Sequence, residues 1–237
     1  MDRVSGERIV DLRLGQRTVG LRVRRNRRAR RILLRADGIS DHITLVLPRG
    51  AGLDEGLRFA ESRGDWLLAR LDALPPRAPF ADGAEFPLMD RPVRIRAVAG
   101  LRGGARLEGE ALHVAGDPEF LARRVVDWLR ARAREEVASR AVALAARLDR
   151  RPRAVTVRDT RSRWGSCSVD GRLSFCWRLV MAPEAVLDHV VAHEVAHLVA
   201  MNHGPEFHQA YRRATGGDGE TAEAWLRRHG PGLHRYG

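Results

Sequence analysis

The sequence predicts an α+β fold, with short strands concentrated in the first half and helices in the second. Three observations carry that expectation. Residues 7–48 and about 85–114 break into short apolar-alternating runs separated by turn residues. A long stretch at about 118–148 then carries apolar residues at helical spacing. Further helical patterns follow at 183–201, 205–215 and about 220–229. The change near residue 116 sets the expected organisation, a β-rich N-terminal region at 1–116 and a second domain at 117–237.

Along the chain, Ile9–Leu14 and Thr18–Val23 read as strands joined by a Gly15-Gln16 turn. Ile32–Arg35 and Ile43–Leu47 bracket an Asp37-Gly38 turn signal, and Pro48-Arg49-Gly50 ends that set. Residues 53–74 read as one helix with Leu57, Trp66, Leu67, Leu68 and Leu71 on its apolar side. Pro75-Pro76-Arg77-Ala78-Pro79 is a stiff break. The second β-rich stretch is punctuated by Gly100 and Gly103-Gly104. In the long helix, Phe120, Leu121, Val125, Trp128, Leu129, Val137, Val142 and Leu148 mark the apolar stripe. No internal sequence repeat stands out.

Ala154–Val157 resumes strand character, and a hairpin follows with Asp170-Gly171 as a type I′ turn signal. A two-residue loop would set Ser166 opposite Phe175 and Trp164 opposite Trp177, giving a buried aromatic face. Arg163 would then oppose Arg178, which is unfavourable unless an anion or a cleft lies there. Cys167 and Cys176 would be diagonal neighbours, too far apart for a disulfide, so both read as structural thiols.

Composition bounds the function. Net charge is +12, yet the chain has no lysine, so all 42 basic residues are arginine. A GC-rich coding sequence produces the same bias, and charge alone implies only solubility and weak attraction to polyanions. The densest cluster is Arg22–Arg35, a candidate weak polyanion surface with few interleaved aromatics. No apolar run approaches the roughly 20 residues of a membrane span. No secretory layout opens the chain and two cysteines make no disulfide framework, so the expectation is cytoplasmic.

The most informative stretch is His193-Glu194-Val195-Ala196-His197, an H-E-x-x-H motif within an apolar helical pattern. Histidines four apart stack on one helix face, so both imidazoles can reach one metal ion. Glu194 projects beside that ion and is the candidate proton acceptor. His203 follows six residues after His197, where Asn202 tolerates a left-handed turn and Gly204-Pro205 stops the helix. His193, His197 and His203 are thus the candidate ligands of one zinc per chain, with His208 as the alternative third ligand. Three protein ligands leave a fourth position open, as catalytic rather than structural zinc requires.

The run Arg161-Ser162-Arg163-Trp164-Gly165-Ser166-Cys167, then Phe175-Cys176-Trp177-Arg178-Leu179, then HEVAHL and Asn202-His203 resembles the YgjP-like metallopeptidases, relatives of the SprT-like proteases. The resemblance is specific over residues 158–208 and looser elsewhere. It implies a zincin-like second domain, zinc on His193, His197 and His203, and Glu194 as catalytic residue. His208, His189 and Gly204 stand where the family usually has tryptophan, tyrosine and serine. The expected activity is hydrolysis of a peptide or protein substrate by a water that Glu194 deprotonates, with Arg163, Arg178 and His189 as candidate oxyanion or substrate contacts. The alternatives are metal-dependent hydrolysis of a nucleoside triphosphate phosphoanhydride and a nucleic-acid-associated protease. A P-loop is excluded, because the chain has no lysine to build one.

Overall fold

The computed structural model describes residues 8–35, 43–100, 104–215, 217 and 219–237. The Asp37-Gly38 turn signal and Gly103 lie outside them. Among the described residues the fold is mixed α+β, with three sheets and six α-helices. The chain divides into two compact units, Met1–Pro76 and Arg77–Gly237, at the proline-rich break rather than near residue 116.

The first unit holds β1 (Arg8–Leu14), β2 (Arg17–Arg25), β3 (Leu33–Arg35) and β4 (Ile43–Leu47). Their order is β1-β2-β4-β3, with β2 and β4 parallel and the outer pairs antiparallel. Alternating Leu12, Leu14, Val19, Leu21 and Val23 share one inward face with Ile43, Leu45 and Leu47 of β4. The helix expected over 53–74 is two, α1 (Leu53–Glu61) and α2 (Gly64–Asp72). At the break Ser62 donates its hydroxyl back to the Phe59 carbonyl, the local bond by which serine competes with helix continuation. Leu67 is fully buried, but Trp66, expected on the apolar side, is 41% exposed.

The second unit begins with β5 (Glu85–Leu88), β6 (Arg91–Val98), β7 (Ala105–Glu108) and β8 (Ala111–Ala115). Their order is β5-β6-β8-β7, again with a parallel central pair. Both sheets therefore share one connectivity, a repeat of topology without a repeat of sequence. A 3-10 turn at Pro118–Phe120 leads into α3 (Leu121–Arg147). Its buried stripe is Leu121, Val125, Leu129, Ala133, Val137, Ala141 and Ala145, a strict four-residue repeat. Val142, expected on that stripe, is 58% exposed. At that end of the helix the inner positions are held by Ala141 and Ala145, whose small side chains send little apolar signal. Phe86, Val93, Ile95, Leu112 and Val114 share a core with this helix, so the strands at 85–115 belong with the helical half of the chain.

The third sheet has β10 (Gly165–Cys167), β11 (Arg172–Cys176) and β9 (Ala154–Arg158), in the order β10-β11-β9. The hairpin differs from expectation by one residue: Gly165 pairs with Phe175, Ser166 with Ser174 and Cys167 with Leu173. The loop is three residues, because only Gly171 takes positive φ (76°) while its N–H bonds to the Ser168 carbonyl. That is a type I turn closed by a left-handed glycine, rather than type I′, which would need Asp170 left-handed too. Ser168 holds the turn, accepting from the Arg172 N–H and donating to Asp170. Strand pairing ends at Cys176, and Trp177–Met181 forms a 3-10 turn, so Arg178 does not face Arg163 across a sheet. α4 (Glu184–Ala196), α5 (Pro205–Thr215) and α6 (Glu220–Leu233) complete the unit.

Candidate metal centre

α4 is apolar on nearly every side, with Val186, Leu187, Val190, Val191, Ala192, Val195 and Ala196 buried. Such a helix must be a core element, enclosed by its neighbours. Burying it fixes the backbone that carries His189, His193 and Glu194. α4 ends at Ala196, earlier than the expected residue 201, where Leu198 and Val199 donate to carbonyls three residues back. Asn202 does not take positive φ, so the reversal uses this tightened turn instead of a left-handed residue.

The reversal brings His193, His197 and His203 together, with one ring nitrogen of each within 4.8 Å of the others. His193 Nε2 and His203 Nε2 are 3.1 Å apart. Two nitrogens on a tetrahedral zinc at about 2.0–2.1 Å from each would stand roughly 3.3 Å apart, so the spacing fits. His197 Nδ1 lies 3.0 Å from the Ala200 carbonyl. A proton on Nδ1 completes that bond and turns the Nε2 lone pair outward, the arrangement a metal ligand needs. His208 is exposed and stands outside the group.

Burial sets the protonation. His193 is held down to about 4, first by burial and then by the neighbouring histidines. His197 is also lowered by burial, against the Ala200 bond that raises it. Both are therefore neutral near pH 7, the form that binds metal. Glu194 is 8% exposed and burial pushes its carboxyl up to about 7, with the Arg163 charge opposing the rise. A carboxyl near 7 can both take and return a proton at neutral pH.

Three supporting residues send no such signal in the sequence. Gly165 lies against Glu194, where a Cβ would meet Glu194 Cγ at 2.5 Å and Oε1 at 2.6 Å. The one-residue shift in hairpin register produces this contact, because it turns Gly165 to the buried face that Ser166 was expected to occupy. Phe207 is buried, its ring centroid 4.6 Å from His203, 4.7 Å from His197 and 5.0 Å from His193, an apolar floor under all three imidazoles. Helical periodicity marks Phe207 only as core. Tyr211 places its hydroxyl 2.7 Å from His189 Nδ1, and nothing in the sequence pattern announces that pair.

The candidate contacts fall differently. Arg163 is exposed and acts electrostatically on Glu194. His189 is buried beside His193, with ring centroids 6.2 Å apart and Nδ1 engaged by Tyr211. Arg178 is committed elsewhere, donating to the Leu233 and Tyr236 carbonyls at 3.0 and 2.7 Å and to Asp159 at 3.3 Å. It is a tie for the C-terminal segment and not a contact of this centre. Cys167 and Cys176 are both free thiols. Burial raises Cys167 to about 11, so it stays protonated at neutral pH.

Three imidazoles with a buried carboxyl beside them, on and after a core helix, are the side-chain set that the class of metal-dependent hydrolases uses. The model of one family, YgjP-like, metallopeptidase domain, matches residues 30–229. The chain belongs to the YgjP-like metallopeptidase family. Neither curated proteins nor solved structures gave a match. No helix among the described residues is long and apolar enough to cross a membrane.

Proposed function

We propose that the chain is a zinc-dependent peptidase with a zincin-like second unit, in which Glu194 is the general base. The observation that carries this is the three-histidine group with Glu194 buried beside it. His193, His197 and His203 would hold the ion, and the metal when bound supplies Lewis acidity to the scissile carbonyl and to the attacking water. Glu194 takes the proton of that water at its carboxylate and returns it to the departing amine. Gly165 leaves the carboxylate room to stand there, and Phe207 fixes the imidazoles from below.

A peptide substrate is supported by β10, the edge of its sheet, which pairs only with β11 among the described residues. An extended chain can add to that edge by main-chain hydrogen bonds, alongside Glu194. The phosphoanhydride alternative needs an arginine-lined cleft, and of the two candidate arginines Arg178 is committed to the C-terminal segment while Arg163 acts on Glu194.

Glu194→Gln keeps the volume and should retain about one zinc per chain while hydrolysing casein about 10²–10⁴-fold more slowly. His193→Ala, His197→Ala and His203→Ala should lose most of the zinc, and His208→Ala should keep it. Equal caseinolysis by wild type and Glu194→Gln would sink the assignment. Loss on a nucleoside triphosphate alone would transfer it to phosphoanhydride chemistry.

A further inference from the structure

The first unit carries a feature that a metal-dependent hydrolase does not require. Residues 8–76 hold fifteen arginines against eight acidic residues, and the arginines crowd into 22–35. Among the described residues no carboxylate pairs with Arg27, Arg28, Arg30 or Arg31, which are all exposed or nearly so. Some arginines elsewhere are matched, as where Arg140 meets Glu136, Glu184 and Asp188, but what sets this segment apart is the number of guanidinium groups it places side by side. Unmatched guanidinium groups repel one another, so leaving them side by side has a cost that an anionic partner removes.

The fold also supplies what the arginine segment lacks in sequence. A groove of about 940 Å³ runs along the edge strand β3, and Arg30 and Arg31 line it together with Phe59 and Trp66 from α1 and α2. Trp66 is 41% exposed. The Arg63 guanidinium lies 5.9 Å from the Phe59 ring centroid, and that of Arg70 lies 5.8 Å from Trp66. Ile32, Leu33 and Leu34 make the rest of the floor apolar, and Glu55 is the one acidic residue on the lining. Aromatic faces next to unpaired guanidinium groups suit a ligand that is anionic along its length and presents flat rings.

We propose that this groove binds single-stranded nucleic acid. Bases would stack on Trp66 and Phe59, and phosphates would lie against Arg30 and Arg31. A duplex offers the charge but keeps its base faces stacked inside, so it cannot cover Trp66. An acidic peptide offers carboxylates at side-chain ends, with no flat ring at each step. The site lies wholly in the first unit and does not depend on the peptidase reading.

The test uses the full chain and fluorescein-labelled oligothymidylate and oligouridylate, read by anisotropy across a salt series. The single strands should bind more tightly than a duplex of equal length. Trp66→Ala should weaken single-strand binding about 5- to 100-fold, the effect of losing one stacked base, and Trp66→Phe should restore most of it. Arg30→Gln with Arg31→Gln should lower the salt slope by about 1.4, since each single-strand phosphate contact is worth roughly 0.7. Arg150→Gln with Arg151→Gln, the same charge loss in the second unit, should change neither. Equal loss from both double variants, or tighter binding of duplex, would reduce the effect to bulk charge and overturn the proposal. Trp66-dependent binding of an acidic peptide, with none of the oligonucleotides, would overturn it in favour of a peptide site.

Discussion

The two four-stranded sheets of this protein have the same connectivity and opposite uses. In β1–β4 the inner face packs against α1 and α2 through Ala60 and Leu67, giving the first unit its own core, while arginines collect at one edge. In β5–β8 the inner face joins a larger core with Leu121, Val125 and Leu129 of α3, Val186 of α4 and Leu233 of α6. The first sheet belongs to a compact unit with its own core; the second is part of the foundation on which the helix carrying His193 and Glu194 rests. Shared topology therefore says little about role, which is decided by what packs on each sheet.

Dividing the chain tests that difference most severely. A fragment beginning at Arg77 should fold and bind zinc, whereas one beginning at Asp117 should do neither. The shorter fragment sheds Phe86, Leu88, Val93, Ile95, Leu112 and Val114 from the core. At about 1.5–3 kcal/mol each, they contribute on the order of 10 kcal/mol, comparable with the net stability of a whole domain. Circular dichroism and zinc content would decide it, and a folded, zinc-loaded 117–237 fragment would return the boundary to residue 116.

A smaller effect separates packing around the site from packing beneath it. Gly165→Ala puts a methyl group where the Glu194 carboxylate stands. The expected result is zinc retained and caseinolysis reduced about 10–100-fold, the scale on which displacing a reacting group by an ångström acts. Undiminished activity would show that Glu194 works from another position.

The smallest effect is on the metal-free protein. Burial raises Glu194 from an ordinary value near 4.5 to about 7, so the folded chain holds that proton more tightly than the unfolded chain. Its contribution is most favourable below about pH 4.5 and is lost as pH rises through about 7. Glutamine carries no such cost. Metal-free Glu194→Gln should therefore be more stable than wild type at about pH 8, by on the order of 1–3 kcal/mol in urea melts, the gain fading towards about pH 4.5. His193, held down to about 4, loses stability as pH falls from its ordinary 6.5 in both proteins, so it cancels in the comparison. Equal stability throughout would mean that Glu194 is well solvated.

Legibility in the sequence depends on the kind of signal each residue sends. His193, Glu194 and His197 announce themselves because helix geometry turns a four-residue spacing into proximity. His203 is legible from the end of the helix, although the turn that delivers it is not the left-handed one Asn202 suggests. The hairpin register departs from expectation by one residue because Asp170-Gly171 fits either a two- or a three-residue loop, and a slip of one exchanges the two faces. That slip hides Gly165. The α3 stripe departs at Val142 because a bulky side chain sends a stronger apolar signal than Ala141 and Ala145, the small residues that are buried there. The Arg178 tie depends on carbonyls at 233 and 236, which no local pattern can report.

The same C-terminal segment closes the second unit on itself. Ala78 bridges Tyr236, Gly237 donates to the Ala78 carbonyl at 3.0 Å, and Phe80 stacks on Tyr236 at 6.4 Å. Residues 78 and 236–237 of the second unit thus meet at a single point, like a loop of rope secured at one cleat. Such a body can be hung from another module by either strand, or cut open elsewhere and rejoined across that point, without disturbing the neighbours of its histidines.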